Sequence, residues 1–380
     1  MTAPRILAID QGTTSSRALV VDHEGRVLGA GQRATPVRYP RPGWVDQDAE
    51  ALWQATEAAI AIALGSAQVA PGEITAIGIA NQRETVVAWD RGTGEPSAPA
   101  IGWQDRRTLD HCAELEAAGH GPGVRAATGL TIDPYFSATK IAWLLDNVPD
   151  LRRRAAAGDI AVGTVDSWLA WKLTGGARHV TDYTNASRTL LFNTGRGRWD
   201  AELCNLFGIP REILPLPQPS ASPFGRTSTA AFGAEVPILA IAGDQQAALY
   251  GQACFQPGMA KNTYGTGCFL LANAGRRSAA STNGLLVSLG PGTSTSGPEY
   301  VIEGSVFVAG AGISWLQEQL GLNTGAEIEA LARSVPASDG VEFVPAFAGL
   351  GAPHWDPAAK GAIVGLSLGT TRAHIARAAL

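Results

Sequence analysis

The first part of the chain alternates between short apolar runs and longer segments with helical spacing. The apolar runs predict strands at residues 5–10, 17–22, 26–33, 74–80, 85–89, 159–164 and 238–242. Apolar positions three and four residues apart predict helices at residues 48–64, 104–118, 138–146, 166–173, 199–207 and 245–253. Three early strands followed by alternating strands and helices predict a mixed sheet with flanking helices. The Pro/Ser-rich run 215–223 predicts a surface loop.

A polar turn separates the first two predicted strands. Gly12 permits a tight turn there, and a positive φ is open to glycine. Asp10 ends the first strand and suits a hydrated magnesium ion, which takes few protein carboxylates and keeps most of its waters. The groups that can converge on a phosphate are the amides and hydroxyls of Thr13, Thr14, Ser15 and Ser16. The alternative is a solvated hairpin with a Ser/Thr tip.

A weak internal repeat appears in the second part of the chain. Residues 259–271 repeat the plan of strand, Gly-Thr turn and strand, and short strands are predicted again at 284–289 and 300–308. The repeat predicts two domains, at residues 1–252 and 253–380. Two facing Gly-Thr hairpins would suit a nucleoside triphosphate held between lobes. The sequence contains neither a GxxxxGK[ST] loop nor a GxGxxG after a strand, which disfavours the other common phosphate-binding motifs.

A single acid follows the strand at 238–242. Gly243 turns the chain, and Asp244 begins the next helix. Aspartate at such a position is commonly an N-cap, and that interpretation stays open. The functional interpretation is a carboxylate that accepts a hydroxyl proton, since phosphoryl transfer requires positioning, charge neutralisation and a base.

Polar and aromatic groups suited to a polyol occur earlier in the chain. Arg83 and Glu84 follow an apolar strand, and they can serve one ligand only if the strand becomes irregular, because neighbouring strand residues face opposite sides. In isolation, the pattern favours a solvated strand end for that pair. Trp103 and Tyr135 supply an apolar wall and a phenol, although each taken singly is more often a core residue.

Composition excludes several classes of function. The chain has 380 residues, enough for two domains, and a net charge of −5 without a basic block, which argues against nucleic acid and anionic membrane as partners. Its four cysteines and six histidines show no metal-ligand spacing. The sequence contains no signal-peptide pattern and no apolar run of membrane-spanning length, so a cytoplasmic protein is expected.

These motifs together resemble the FGGY carbohydrate kinase family, over essentially the whole chain. The segments that carry the resemblance are Asp-Gln-Gly-Thr-Thr-Ser-Ser-Arg at 10–17, Pro-Gly-Trp-Val at 42–45, Asn-Gln-Arg-Glu at 81–84, Trp-Gln-Asp-Arg-Arg at 103–107, 135–143, Gly-Asp-Gln-Gln at 243–246, Tyr-Gly-Thr-Gly at 264–267, 349–356 and 360–366. The segments at 81–84 and 103–107 favour the family members that phosphorylate glycerol over those that phosphorylate pentoses and hexoses. The resemblance implies an α/β, actin-like (ribonuclease H-like) duplicated fold with two lobes around a cleft. It also implies transfer of the ATP γ-phosphoryl group to a terminal hydroxyl of glycerol, and it is compatible with a homo-oligomer.

The resemblance also implies roles for single residues. Asp244 would be the general base. The residues that it places around glycerol are Arg83, Glu84, Trp103, Tyr135, Gln245 and Phe269. The residues that it places at the phosphates are Thr13, Thr14, Ser15, Arg17, Thr266 and Gly310, with Arg17 at the transferred group. Asp10 would hold Mg²⁺ through water.

The chain departs from the family pattern in three places. It stops inside a helical pattern at 370–380, whereas family members are longer, so the second lobe is expected to be incomplete. Ser314 stands where the family commonly has a glutamine near the nucleotide. The loop 225–236 lacks the Gly-Gly-x-Arg segment through which some members bind fructose 1,6-bisphosphate, so no such inhibition is expected. The open alternatives are an FGGY kinase for another polyol or ketose and a catalytically impaired polyol-binding protein, the latter because the glycerol residues are expected to lie in the first half.

Overall fold

The computed structural model describes residues 3–276, 283–292 and 299–380. Its strands are β1 Arg5–Gln11, β2 Ser15–Asp22, β3 Val27–Ala34, β4 Val37–Arg38, β5 Asp46–Gln47, β6 Ala76–Asn81, β7 Val86–Asp90, β8 Ala100–Ile101, β9 Ile160–Thr164, β10 Val180–Asp182, β11 Phe192–Asn193, β12 Arg198–Trp199, β13 Leu216–Gln218, β14 Ala221–Arg226, β15 Pro237–Gly243, β16 Ala260–Tyr264, β17 Cys268–Gly275, β18 Leu286–Leu289, β19 Tyr300–Val306, β20 Glu342–Val344 and β21 Ala362–Val364.

Helices lie between these strands. They are α1 Ala49–Ala67, α2 Leu109–Ala117, α3 Gly121–Thr128, α4 Ser137–Asn147, α5 Leu151–Ala156, α6 Val165–Leu173, α7 Tyr183–Ala186, α8 Ala201–Leu206, α9 Thr229–Phe232, α10 Asp244–Gly251, α11 Gly310–Gln319, α12 Gly325–Arg333 and α13 Arg372–Ala379. Short 3₁₀ turns occupy Pro71–Glu73 and Arg211–Ile213. We call β1 to α10 the N-terminal lobe and β16 to α13 the C-terminal lobe.

The N-terminal lobe contains the mixed sheet that the sequence predicts. Its strand order is β14-β15-β6-β1-β2-β3. The hairpin β1–β2 is antiparallel, whereas β6 is parallel to both β1 and β15. The carboxyl ends of β1, β6 and β15 therefore meet at one edge, which places the segments after Gln11, Asn81 and Gly243 side by side. A second, five-stranded sheet has the order β4-β5-β8-β7-β9.

A hydrophobic core packs the six-stranded sheet against α1 and α6. Helix α1 lies very close to β3, because a Cβ atom at Gly31 would stand 2.1 Å from the carbonyl oxygen of Ala59. Only glycine permits that approach. Asp48 caps α1 by accepting hydrogen bonds from the backbone N–H groups of Glu50 and Ala51.

The C-terminal lobe repeats the first topology in part. Its sheet has the order β16-β17-β19-β18 and is antiparallel throughout. The succession of β16, β17 and β19 matches that of β1, β2 and β3, so the predicted repeat is confirmed. A continuous hydrophobic cluster joins the two lobes, with Phe136 and Leu190 on one side and Phe269, Val301 and Phe307 on the other.

Several local predictions need correction. The run 215–223 is not simply a loop, because β13 pairs with β10 and the start of β14 pairs with β15. The helix predicted at 104–118 begins only at Leu109, since the Asp105 carboxylate accepts hydrogen bonds from Val45 and Arg107 and holds this stretch in a turn. The pattern also gave no prediction of six of the helices, namely α3, α5, α7, α9, α11 and α12. Within the described ranges, no helix has the length and apolar character needed to cross a membrane.

Candidate active site

A cavity of about 170 Å³ lies between the two lobes, at the edge where β1, β6 and β15 end. The N-terminal lobe lines it with Thr13, Thr14, Gln82, Arg83, Glu84, Trp103, Tyr135, Asp244 and Gln245. The C-terminal lobe lines it with Thr263, Gly265, Thr266, Gly267 and Phe269. The fold therefore brings together ten of the residues that the sequence singled out. Since Phe269 comes from the C-terminal lobe, the expectation that the first half contains all the polyol residues is wrong.

The first Gly-Thr hairpin presents Thr13 and Thr14 to this cavity. The turn is closed by the N–H of Gly12, which donates to the carbonyl of Ser15 at 2.9 Å. Gly12 does not have a positive φ, so tightness alone explains the glycine. Gln47 Nε2 donates to the carbonyl of Thr13 at 2.7 Å, and the indole N–H of Trp103 donates to the Thr13 hydroxyl at 2.9 Å.

The rest of this hairpin lies outside the cavity lining. Ser16 is buried beneath the turn, where its hydroxyl accepts a hydrogen bond from Thr56, so the prediction that it joins the phosphate-facing hydroxyls is wrong. Alternation along β2 turns it to the opposite face from Ser15 and Arg17. Arg17 Nη1 lies 4.0 Å from Asp10 Oδ2, and both side chains are about half exposed.

Asp10 is a half-exposed carboxylate beside the cavity. Burial raises the pKa of Asp10, and the nearby Arg17 guanidinium opposes that shift. Among the described residues, no group of three or more His, Cys, Asp and Glu side chains could enclose a metal ion. Asp10 alone fits a hydrated magnesium ion whose remaining ligands are water and phosphate oxygens.

Arg83 and Glu84 are buried, with 3% and 1% of their surfaces exposed, so the interpretation as a solvated strand end is wrong. β6 ends at Asn81, and Glu84 takes a left-handed φ of 61°. This irregularity allows both side chains to point into the same cavity, as the sequence argument required. The strand end is fixed by Asn81, whose side chain exchanges hydrogen bonds of 3.0 Å with Asn185.

A buried ionic network, which we define as Arg83, Glu84, Arg188 and Glu303, lies against this cavity. Arg83 donates from Nη1 and Nη2 to the two Glu303 carboxylate oxygens at 2.7 and 2.8 Å. Arg188 Nε donates to Glu84 Oε1 at 2.6 Å, and its Nη2 donates to Glu303 Oε1 at 3.2 Å. Burial alone would raise the pKa of Glu303, but Arg188 and Arg83 lower it to about 2. Burial raises the pKa of Glu84, against the two guanidinium groups.

Sequence reasoning missed Arg188 and Glu303. The only signal was a charge where the pattern is apolar, since Glu303 is the one charged residue within β19. Arg188 lies two residues after the end of α7 and carries no motif of its own. Their partners lie 104 to 220 residues away along the chain, which local patterns do not encode.

Aromatic rings form the opposite wall of the cavity. The Trp103 ring lies 5.8 Å from the rings of Tyr135 and Phe269, edge to face in both pairs. The Tyr135 hydroxyl accepts a hydrogen bond of 3.3 Å from Arg83 Nη2. The cavity therefore combines an apolar surface with charged hydrogen-bonding groups, a combination that suits a small polyol with a carbon chain and several hydroxyls.

Asp244 is the first residue of α10, and the N-cap is Gly243, so the interpretation of Asp244 as a cap is wrong. The N–H of Gly243 donates to the Thr184 hydroxyl at 2.8 Å, which fixes the turn. Burial raises the pKa of the Asp244 carboxyl group. Arg83, whose Nε lies 3.7 Å from Asp244 Oδ1, opposes this shift, whereas the negative charge of Asp10 adds to it. A carboxylate of raised pKa in a cavity is a candidate general base.

The second Gly-Thr hairpin faces Asp244 across the cavity, with Thr266 in the lining. The start of α11 packs against it, because the N–H of Gly310 donates to the Gly265 carbonyl at 3.0 Å. Gly310 thus supports the hairpin from behind and does not itself line the cavity. Ser314, one turn further along α11, is exposed. Asp10, Ser15, Arg17, Gly310 and Ser314 are the predicted site residues that lie outside the lining.

The chain is similar to known proteins over almost its whole length. The N-terminal domain model of the FGGY family of carbohydrate kinases matches residues 5–251, and its C-terminal domain model matches residues 260–380. A glycerol kinase of Acidovorax ebreus is 55% identical over 99% of this chain and 75% of its own length. A glycerol kinase of Aromatoleum aromaticum is 56% identical over 99% of this chain and 76% of its own length.

Solved structures give the same relationship. The crystal structure of Plasmodium falciparum glycerol kinase with ADP is similar at a TM-score of 0.85 and 36% identity, over 99% of this chain and 75% of that chain. A xylulose kinase of Rhodospirillum rubrum is similar at a TM-score of 0.78 and 26% identity, over 99% and 75%. The chain thus spans about three quarters of the length of these relatives.

Proposed function

The chain belongs to the FGGY family of carbohydrate kinases, and we propose that it transfers the γ-phosphoryl group of ATP to a terminal hydroxyl of glycerol, giving sn-glycerol 3-phosphate. The observation that carries this proposal is the meeting of Asp244, Arg83 and Glu84 in one small cavity walled by aromatic rings. ATP use agrees with the family and with the ADP named for the similar Plasmodium structure. Because the reaction consumes ATP, we place it in the cytoplasm.

The acceptor side of the cavity determines how a triol would bind. Arg83 and Glu84 are a donor and an acceptor for its hydroxyls, and charged partners give the stronger hydrogen bonds. Tyr135 adds a hydroxyl, while Trp103 and Phe269 pack on the carbon chain. The terminal hydroxyl then lies at Asp244, which accepts its proton as the oxygen attacks phosphorus. Because the small cavity would satisfy the hydrogen bonds of three hydroxyl groups, it favours glycerol over a longer polyol or ketose.

The phosphate side consists of the two Gly-Thr hairpins. Thr13, Thr14 and Thr266 offer hydroxyl and backbone donors to phosphate oxygens from the two lobes, and Ser15 and Arg17 lie next to the first hairpin. Asp10 would hold magnesium through water, and that ion would neutralise phosphate charge. Approach of the lobes excludes water, which otherwise competes as the phosphoryl acceptor.

The proposal is tested by turnover of the purified protein with ATP, magnesium and glycerol. Asp244→Asn is expected to lower kcat by roughly 10²–10⁴, the usual contribution of a general base. The matched control is Asp146→Asn, because Asp146 is exposed and pairs only with Arg152 in the described structure. An Asp244→Asn variant with wild-type turnover would remove Asp244 from this role. A substrate panel that favoured another polyol over glycerol would change the acceptor.

A further inference from the structure

Lys261 is a buried cation in β16 of the C-terminal lobe, with 7% of its surface exposed. Its ammonium group donates to Gln245 Oε1, to the Thr263 hydroxyl at 2.7 Å and to the Phe269 carbonyl at 3.4 Å. The bond to Gln245 crosses from one lobe to the other beside the cavity. Burial lowers the pKa of Lys261 to about 8, and neighbouring Glu303 and Asp244 oppose the shift.

The contact with Lys261 determines which way the Gln245 amide points. An ammonium group has only donors, so it requires the amide oxygen. The amide nitrogen then faces Asp244, and Gln245 Nε2 donates to Asp244 Oδ2 at 3.1 Å. The reversed amide would place two oxygen atoms against each other at Asp244 and two donors against each other at Lys261.

We propose that Lys261 is a positioning residue that acts through Gln245 to hold the Asp244 carboxylate in place for the acceptor hydroxyl. Asp244 Oδ1 accepts from the Gln245 backbone N–H at 2.7 Å, so the carboxylate is held at both oxygens. Because Lys261 and Gln245 belong to different lobes, this arrangement forms only when the lobes are together. The inference rests on the proposed function, since it gives the reason for holding Asp244.

Direct binding of a phosphate by Lys261 is the competing role. The three N–H donors of the ammonium group are all directed at Gln245, Thr263 and Phe269. No donor is left for a phosphate oxygen in this arrangement. The two roles also predict different kinetics, because a phosphate contact would affect the KM for ATP, whereas positioning through Gln245 affects the reaction of glycerol.

The experiment is a double-mutant cycle on the full chain with Lys261→Met, Gln245→Leu and the double variant. Each single variant is expected to lower kcat/KM for glycerol by about tenfold, as for loss of a hydrogen bond to a charged group, with the KM for ATP unchanged. The kcat/KM of the double variant for glycerol is expected to lie within about twofold of that of Gln245→Leu, because Lys261 acts only through Gln245. Lys172→Met is the matched control, since Lys172 pairs with Glu50 at 2.9 Å and does not line the cavity.

Three results would overturn the inference: multiplicative losses in the double variant, a raised KM for ATP in Lys261→Met, or wild-type kinetics for that variant. Thermal unfolding checks that each variant folds, and Lys261→Gln, which keeps a polar head group, carries the same cycle if the methionine variant unfolds. Inactive wild-type protein would contradict the proposed function. If the wild-type protein is active and any of the three results is found, only the role of Lys261 is contradicted and the proposed function stands.

Discussion

Replacing Glu303 by glutamine removes one negative charge from the buried ionic network while keeping the size of the side chain. In the wild-type protein two guanidinium groups balance two carboxylates, and none of these side chains is more than 3% exposed. Glutamine leaves one carboxylate, Glu84, for both Arg83 and Arg188. It also loses one of the two oxygens that Arg83 contacts.

Loss of one partner from a buried ion pair costs about 3–5 kcal/mol, because the remaining charge stays buried and unpaired. We expect Glu303→Gln to lie near 3 kcal/mol, since the amide oxygen keeps one of the hydrogen bonds. For domains of this size the loss corresponds to a Tm lower by about 6–12 °C. The KM for glycerol should also rise, because Arg83 loses one of the two carboxylate oxygens that orient it.

The pH dependence gives an independent check. The pKa of Glu303 is about 2 in the folded protein, below its ordinary value of 4.5. A carboxyl group whose pKa is lowered by folding stabilises the folded protein at pH values above its pKa in the unfolded chain. This contribution is lost as the pH falls from about 4.5 towards 2. The difference in free energy of unfolding between wild type and Glu303→Gln should therefore shrink over that range.

The assay is thermal unfolding at neutral and acid pH, with Glu329→Gln as the control. Glu329 forms an exposed pair with Arg333 on α12, and such pairs contribute about 0–1 kcal/mol. A Tm for Glu303→Gln within about 2 °C of wild type at neutral pH would refute the reasoning. So would a difference that does not depend on pH.

Three further predictions concern other parts of the molecule. Burial lowers the pKa of Lys140 from 10.5 to about 7, so between these pH values the unfolded chain binds more protons than the folded protein. The free energy of unfolding should therefore rise with pH, by up to about 1.4 kcal/mol per pH unit. Lys140→Met should flatten this rise, as measured by chemical denaturation. A Cβ atom at Gly310 would stand 2.6 Å from the Gly265 carbonyl oxygen, which corresponds to about 1–3 kcal/mol of overpacking. Gly310→Ala should therefore displace the second hairpin and raise the KM for ATP about tenfold. Gly251→Ala is the control, because its Cβ atom meets no atom within 4 Å and the KM for ATP should not change. Fructose 1,6-bisphosphate should not inhibit, given the sequence of loop 225–236, and a saturable inhibition curve would contradict this.

The sequence by itself determined the main strands of the six-stranded sheet and the two hairpin turns of this protein. Apolar period and glycine position are local properties, so β1, β2, β6 and β15 lie within two residues of their predicted bounds. The same local signals placed Asp244 at a strand end. They also allowed the repeat of the first hairpin at β16 and β17 to be recognised.

Only the tertiary structure decided how the charged residues are paired. From sequence, Arg83 and Glu84 were better explained as a solvated strand end, because their buried partners Arg188 and Glu303 lie far along the chain. Lys261 likewise reaches Gln245 only because the two lobes share one hydrophobic core. Period and spacing record which face of an element is buried, but the partner that a buried charge meets depends on the packing of distant elements.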